Sequence, residues 1–227
     1  QLAALAAQKS GAGYVKIFAR SGFPAPHPSI VVETVADVDE LKQKLADDRI
    51  SSLVVGPGLG RDDQANALLD AALTIKAPLL IDADALVVAG TRFCELAAGR
   101  TAETVATPHA GEFACLTSDS LADKIDDSRK LAAQSGCHIL LKGADSVIVS
   151  PDGVASISAQ SCPWLSTAGT GDILAGIIAS RLASGASGYR AACEGQWLHS
   201  RAAHLAGPAF TPEMLIDQLP ATLQECL

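Results

Sequence analysis

Residues 52–81 read SLVVGPGLGRDDQANALLDAALTIKAPLLI. Ser52–Val55 (SLVV) is short, rich in β-branched residues and closed by Gly56-Pro57-Gly58-Leu59-Gly60, which reads as a buried strand running into a turn. Asp62–Ile75 carries helical apolar spacing. Pro78–Ile81 (PLLI) is a second short apolar strand, closed by Asp82-Ala83-Asp84. Strand, helix and strand in this compass form a βαβ unit, and strands joined by such a crossover lie parallel. Neither strand alternates apolar with polar residues, as expected where helices cover both faces of a sheet.

The same reading extends outward in both directions. Upstream, an Ala-rich helix at Leu2–Lys9 is stopped by Ser10-Gly11-Ala12-Gly13 and followed by a strand at Val15–Ala19. Pro24, Pro26 and Pro28 mark a loop or an edge strand, and Val38–Leu45 is helical. Downstream, Thr104–Ala106 leads into Thr107-Pro108-His109, Leu121–Gln134 is helical, and His138–Leu141 (HILL) and Ser146–Ser150 (SVIVS) are strands. Helices at Gly171–Ala183, Ala191–Ala206 and Pro212–Thr222 complete the pattern. Pro151-Asp152-Gly153 after SVIVS predicts a hairpin turn. The fold class expected is α/β, three layers, with a mostly parallel central sheet and an antiparallel hairpin at one edge. Residues 1–227 show no repeat, linker or composition break and read as one domain. The chain begins with Gln1, and the expectation is that part of a native N-terminus is missing.

Composition narrows the function classes. Of 227 residues, 48% are hydrophobic and 19% charged, which argues against disorder. Seventeen basic against 25 acidic side chains leave a net charge of −8, which repels a nucleic-acid backbone. Mean hydropathy is +0.25, from scattered Ala, Val, Leu and Ile. No apolar run reaches the ~18 residues of a membrane span, and no leader with a cleavage site is read. Cysteines at 94, 115, 137, 162, 193 and 226 lack metal-site or redox-motif spacing. They read as small buried apolar residues, reduced, in a cytoplasmic protein.

Ligands of open α/β sheets bind beyond the carboxyl ends of the strands, where the polar and glycine-rich segments of this chain fall. Ser166-Thr167-Ala168-Gly169-Thr170-Gly171-Asp172 opens a helix. Its glycines bare backbone N–H groups, which together with the helix dipole suit a phosphate. Asp172 beside a phosphate makes sense as a base for an attacking hydroxyl, or else as a helix cap. In Thr107-Pro108-His109-Ala110-Gly111-Glu112 the proline sets a turn, His109 is exposed to the ligand side, and Glu112 is a cap or a ligand contact. Gly56–Gly60 is a tight turn and lacks the dinucleotide-fingerprint spacing. Asp82 and Asp84, one residue apart on a strand, point to one side, which suits a metal or a hydroxyl, or only solvent. Lys142-Gly143-Ala144-Asp145-Ser146 joins two strands, either as a phosphate-facing loop or as a charged hairpin turn.

These segments together, VVGPGLG (54–60), IDADAL (81–86), TPHAGEF (107–113), LKGADS (141–146) and STAGTGDILAG (166–176), resemble in order the ADP/ATP-dependent NAD(P)H-hydrate dehydratases of the ribokinase-like superfamily. The resemblance implies a ribokinase-like fold and dehydration of the S-epimer of hydrated NADH or NADPH at the expense of ADP or ATP, with Mg²⁺. It implies that Asp172 is catalytic and that Gly58, His109 and Asp172 face the hydrated dinucleotide. It assigns Lys142, Gly143, Ala144, Asp145, Ser146, Gly169, Thr170 and Gly171 to the adenine nucleotide, and it implies a homo-oligomer, a tetramer, with an epimerase fused or separate. Two departures stand out. The glycine-rich segment and strand that the family carries upstream of the first helix are not in this chain. Cys162-Pro163-Trp164-Leu165 replaces a G-N-x-G-M-like run, and Trp164 is expected to cover the core rather than stack on adenine. A small-molecule kinase of the same superfamily, or a nucleotide-binding domain without catalysis, are the alternatives.

Overall fold

The computed structural model describes residues 1–117, 121–158 and 162–226. In chain order the elements are α1 (Leu2–Lys9), β1 (Val15–Ala19), β2 (Ile30–Thr34), α2 (Val38–Leu45), β3 (Leu53–Val55), α3 (Asp63–Leu73), β4 (Leu79–Ile81), α4 (Asp84–Ala89), α5 (Phe93–Ala97), β5 (Thr104–Ala106), α6 (Ala110–Thr117), α7 (Lys124–Ser135), β6 (His138–Leu141), β7 (Ser146–Val149), β8 (Ala155–Ser158), α8 (Thr170–Ala183), α9 (Gly188–Ala206) and α10 (Pro212–Gln224).

The central sheet has six strands in the order β3-β4-β5-β6-β7-β8. The first four run parallel and the last two pairings are antiparallel. The βαβ reading of residues 52–81 and the edge hairpin are therefore both present. Alternate strand residues serve two different layers. Leu79, Ile81, Ala106, Ile139 and Leu141 pack with Leu69, Phe93, Phe113 and Leu131 of α3, α5, α6 and α7. Leu80, Val105, Leu140 and Ile148 pack on Leu174, Ala175, Ile178, Ala191 and Ala192 of α8 and α9. At ~25 cal/mol per Å² of apolar surface, these two clusters supply the main driving force for burying both faces. A third cluster joins α1, α8, α9 and α10 through Ala6, Ile173, Ile177, Leu198 and Leu215.

Three elements escaped the sequence reading. β2 pairs in parallel with β1 as a separate two-stranded sheet; the prolines occupy the loop before it rather than an edge strand. α4 and α5 are only 6 and 5 residues long, too short for a helical period to show, and α4 carries Val87-Val88, which lower helix propensity. Cysteine burial is mixed: Cys137 is buried, Cys115 and Cys226 are exposed, and all six are free thiols. Desolvation pushes the Cys137 thiol up to about 12. No helix among the described residues is long and apolar enough to cross a membrane.

Candidate functional site

The carboxyl ends of β3, β4, β5 and β6 and the amino end of α8 meet at one edge of the sheet. The β3–β4 junction is tight: a Cβ on Gly56 would stand 1.6 Å from the Asp82 carbonyl oxygen, and Gly56 has φ +129°. Only glycine fits there. Beyond it, Gly58 has φ +71° and no atom within 4 Å of where its Cβ would be, so the loop is open to a ligand.

Asp82 and Asp84 do not share a side. Ala83 adopts φ +51°, a strained left-handed conformation for a residue with a Cβ, and this breaks the strand alternation on which the expectation rested. Asp82 is 1% exposed and accepts a hydrogen bond from Lys142 Nζ at 2.7 Å. Asp84 turns to the glycine loop instead. It accepts from Gly60 N at 3.1 Å and from Arg61 Nε at 2.7 Å. Arg20 holds the far side of that loop through Leu59 O at 3.3 Å and Asp62 at 2.7 Å.

The turn after β5 is closed by a reciprocal pair. His109 N donates to Glu112 Oε2 at 2.8 Å, and Glu112 N donates to His109 Nδ1 at 3.1 Å. This is the capping-box arrangement with His in the N-cap position. Because Nδ1 accepts, the neutral ring carries its proton on Nε2. The His109 side chain is 59% exposed, while Glu112 acts as the cap.

Lys142 is the hub. Its N–H donates to Pro108 O at 2.8 Å, bringing the residue alongside His109. Its ammonium bridges Asp82 and, at 3.7 Å, Glu112. A Cβ on Gly171 would lie 3.5 Å from that ammonium, so the cation also reaches the first turn of α8. The rest of the loop is a hairpin turn between antiparallel strands. Ser146 Oγ accepts from Gly143 N at 3.3 Å, Asp145 pairs with Lys124, and Ala144 is exposed.

Gly169 is the N-cap of α8 with φ +92°, and no side chain caps this helix. Asp172 lies in its first turn, so the capping reading of Asp172 falls away. Burial raises the Asp172 carboxyl above its ordinary value, and the Asp82 carboxylate adds to this; the terminal ammonium and Lys142 pull the other way. Thr170 is turned inward, its hydroxyl set between Leu165 O at 2.7 Å and Thr167 O at 2.8 Å. Its own N–H donates to Thr167 O at 3.3 Å. The site therefore gathers Asp82 and Lys142 from strand ends with Glu112 from the first turn of α6 and Gly171 and Asp172 from α8. A phosphate at the uncapped helix end would meet bare N–H groups, the Lys142 ammonium and a carboxylate able to take a proton.

Trp164 is 45% exposed and does not cover the core. It sits on the 3-10 turn Pro163–Ser166 that accepts the Thr170 hydroxyl. The Asp82–Lys142 pair was not legible: Asp82 drew notice as one of two carboxylates, but its partner lies 60 residues away. Two hollows of about 340 and 330 Å³ border Thr74–Lys76. That segment precedes β4, at the opposite end of the sheet from Asp82, Lys142 and Asp172.

Comparison with known proteins agrees with this fold. The family model described as NAD(P)H-hydrate dehydratase matches residues 1–225. The bifunctional NAD(P)H-hydrate repair enzyme Nnr of Salinibacter ruber is 34% identical over 99% of this chain and 45% of its own length. That of Mycobacterium leprae is 41% identical over 72% of this chain and 36% of its own. The chain thus spans less than half the length of these relatives. The crystal structure of the Bacillus subtilis ADP/ATP-dependent NAD(P)H-hydrate dehydratase, co-crystallised with ATP/Mg²⁺ and soaked with CoA, superposes with a TM-score of 0.83 at 25% identity. That match covers 99% of this chain and 85% of the other.

Proposed function

The chain belongs to the NAD(P)H-hydrate dehydratase family, and from that premise we propose that residues 1–227 form one domain that restores NADH or NADPH from the hydrated S-epimer, using ADP or ATP. The observation that carries this reading is the Asp172 carboxylate, uncapped in the first turn of α8, with the Lys142 ammonium against Gly171.

The hydrated ring carries a hydroxyl. Asp172 accepts its proton as the oxygen attacks the terminal phosphorus of the nucleotide. The new P–O bond forms, the bond to the leaving phosphate of the nucleotide breaks, and the shorter nucleotide departs. Charge spread over the transferred group is met by the N–H groups of Gly169 and Gly171 and by Lys142. The ring carbon–oxygen bond then breaks with phosphate as leaving group, a neighbouring ring carbon loses a proton, and the double bond of the dihydronicotinamide returns. A raised pKa suits Asp172 as a base, since it takes the proton more readily. His109 and Gly58 face the hydrated dinucleotide; Lys142, Gly143, Ala144, Asp145, Ser146, Gly169, Thr170 and Gly171 form the nucleotide side, with Thr170 acting through its turn rather than its hydroxyl.

Mg²⁺ fits this donor set. It keeps phosphate and water oxygens and asks for only one or two carboxylates, and Asp82 and Glu112 are the carboxylates that gather at Lys142. Bound there, the ion would neutralise phosphate charge. Among the described residues no three His, Cys, Asp or Glu side chains gather as a dedicated metal cage.

The reading extends to a cytoplasmic homo-oligomer, a tetramer, fed by an epimerase that is fused or separate; the relatives named bifunctional are consistent with such a second activity. The deciding experiment incubates hydrated NADH with the protein and ADP or ATP in turn. Recovery of dihydronicotinamide absorbance together with phosphate release is expected. A phosphorylated product accumulating without that recovery would make the protein a kinase instead.

A further inference from the structure

Two buried polar groups behind the site take no part in the mechanism above. Thr107 follows β5 and is 1% exposed, and its Oγ1 has no hydrogen-bond partner. His199, on α9, is 5% exposed, and its Nε2 is likewise unpartnered. They belong to facing layers at the same end of the molecule. Leu80, Val105 and Leu140 stand on the sheet face that packs on α8 and α9. Side chains alternate along a strand, and the backbone ladder continues past the strand ends through Asp82 N to Val55 O, Thr107 N to Ile81 O and Lys142 N to Pro108 O. Two residues on, Asp82, Thr107 and Lys142 therefore stand on that same face, Thr107 level with Asp82 and Lys142 one pleat further, level with His109.

α9 supplies the opposing side. It starts at the far end of the sheet, where Gly188 N donates to Glu103 Oε2 at 2.7 Å. Eleven residues later, roughly 16 Å along the helix, His199 reaches the site end, where its imidazole meets the Thr170 backbone. Burial, with Lys142 nearby adding to it, lowers the His199 pKa to about 4 against the pull of Thr170. The ring is therefore neutral at working pH. An unpartnered polar atom in a closed interior costs stability that valine or leucine would not. Here two such atoms lie in facing layers, Thr107 on the sheet face that carries Lys142 and His199 on the helix beside the Thr170 turn.

We propose that Thr107 and His199 are positioning residues for phosphoryl transfer: two uncharged dipoles on the buried side of Lys142 and of the Thr170–Asp172 turn, which hold both in register for a phosphate. The proposal rests on the functional reading given above. Groups that orient ligating side chains in comparable outer positions contribute ~10–100-fold when removed.

The test uses Thr107→Val and His199→Leu, with Thr107→Ser and His199→Asn as the variants that keep a polar group. Melting temperature, calorimetric affinity for ADP and ATP, and turnover are measured for each. The expected result is a melting temperature equal to or above the parent's, nucleotide affinity and turnover reduced about tenfold, and partial recovery in the polar variants. The Thr107→Val/His199→Leu double variant should lose no more than the worse single one, because the two act on one site. Affinity and turnover within twofold of the parent overturn the proposal, as do losses that follow a fall in melting temperature. Should His199→Leu fail to fold, Thr107→Val, nearly identical in shape to its parent, decides the matter. A parent protein that binds nucleotide but restores no NAD(P)H overturns the dehydratase reading, and the affinity measurements then still decide the role of the pair.

Discussion

Asp172 is one carboxylate asked to do something costly, to sit half-buried near Asp82 at the place where the proposed reaction puts a phosphate. Two predictions follow from its surroundings. Asp172→Asn keeps the shape and loses the base, so turnover should fall by ~10²–10⁴, while calorimetric affinity for ADP or ATP stays level or tightens because a like-charge repulsion is removed. His109→Ala should instead weaken the hydrated dinucleotide and spare the nucleotide; near-normal turnover in Asp172→Asn would return Asp172 to a merely structural role. The second prediction concerns pH. A carboxyl whose folded pKa lies above its unfolded value stabilises the fold at low pH, and that contribution is lost as pH rises through the folded pKa. Asp172→Asn removes that loss, so the variant should melt higher than the parent near neutral pH. The gap should close as pH falls below the ordinary 3.8, where the parent carboxyl is protonated too. A melting difference independent of pH would show that the raised pKa has another origin.

At the scale of elements, the site depends on junctions more than on the helices and strands themselves. Asp84, the first residue of α4, clamps the Gly56–Gly60 loop through Gly60 N and Arg61. Asp84→Ala frees the loop, and the KM for the hydrated dinucleotide should rise about tenfold with nucleotide affinity unchanged; equal losses for both ligands would mean that the loop serves the whole site. Helix packing offers a second test. A Cβ on Gly176 would stand 2.1 Å from the Ala3 carbonyl oxygen, so α1 rests directly on the α8 backbone. Gly176→Ala should push α1 away and cost about 1–3 kcal/mol as overpacking does, read as a lower urea midpoint at constant slope. No change in midpoint would show that α1 adds little to the fold.

The whole molecule carries a net charge of −8, and a ligand that binds only the folded state should register in its global stability. ADP or ATP at 100 times its Kd should stabilise the protein by about 2.7 kcal/mol, seen as a raised melting temperature that depends on concentration. A melting temperature indifferent to either nucleotide would count against the α8 amino end as a phosphate site. Sedimentation at micromolar concentration should give the mass of a tetramer; a monomer would remove the oligomer from the proposal.

How much of this was legible beforehand differs by kind of feature. The family resemblance singled out Gly58, His109, Lys142 and Asp172, whereas the strands at 53–55, 79–81 and 138–141, the α3 and α8 helices and the edge hairpin were readable in the sequence itself. Each is a local signal: an unbroken apolar run, a 3.6-residue period, a turn dipeptide, a glycine pair before a helix. What only the tertiary structure decided involves groups distant in sequence or a backbone turn that no local pattern encodes. The φ of +51° at Ala83 sent Asp82 and Asp84 in different directions. The ion pair across 60 residues tied Lys142 to Asp82. Trp164 turned outward, and Thr107 and His199 were buried without a hydrogen-bond partner for Oγ1 and Nε2. The physical reason is that burial and electrostatics depend on three-dimensional neighbours: a carboxylate reads the same in any sequence, and its partner and its pKa are set by what the fold brings against it.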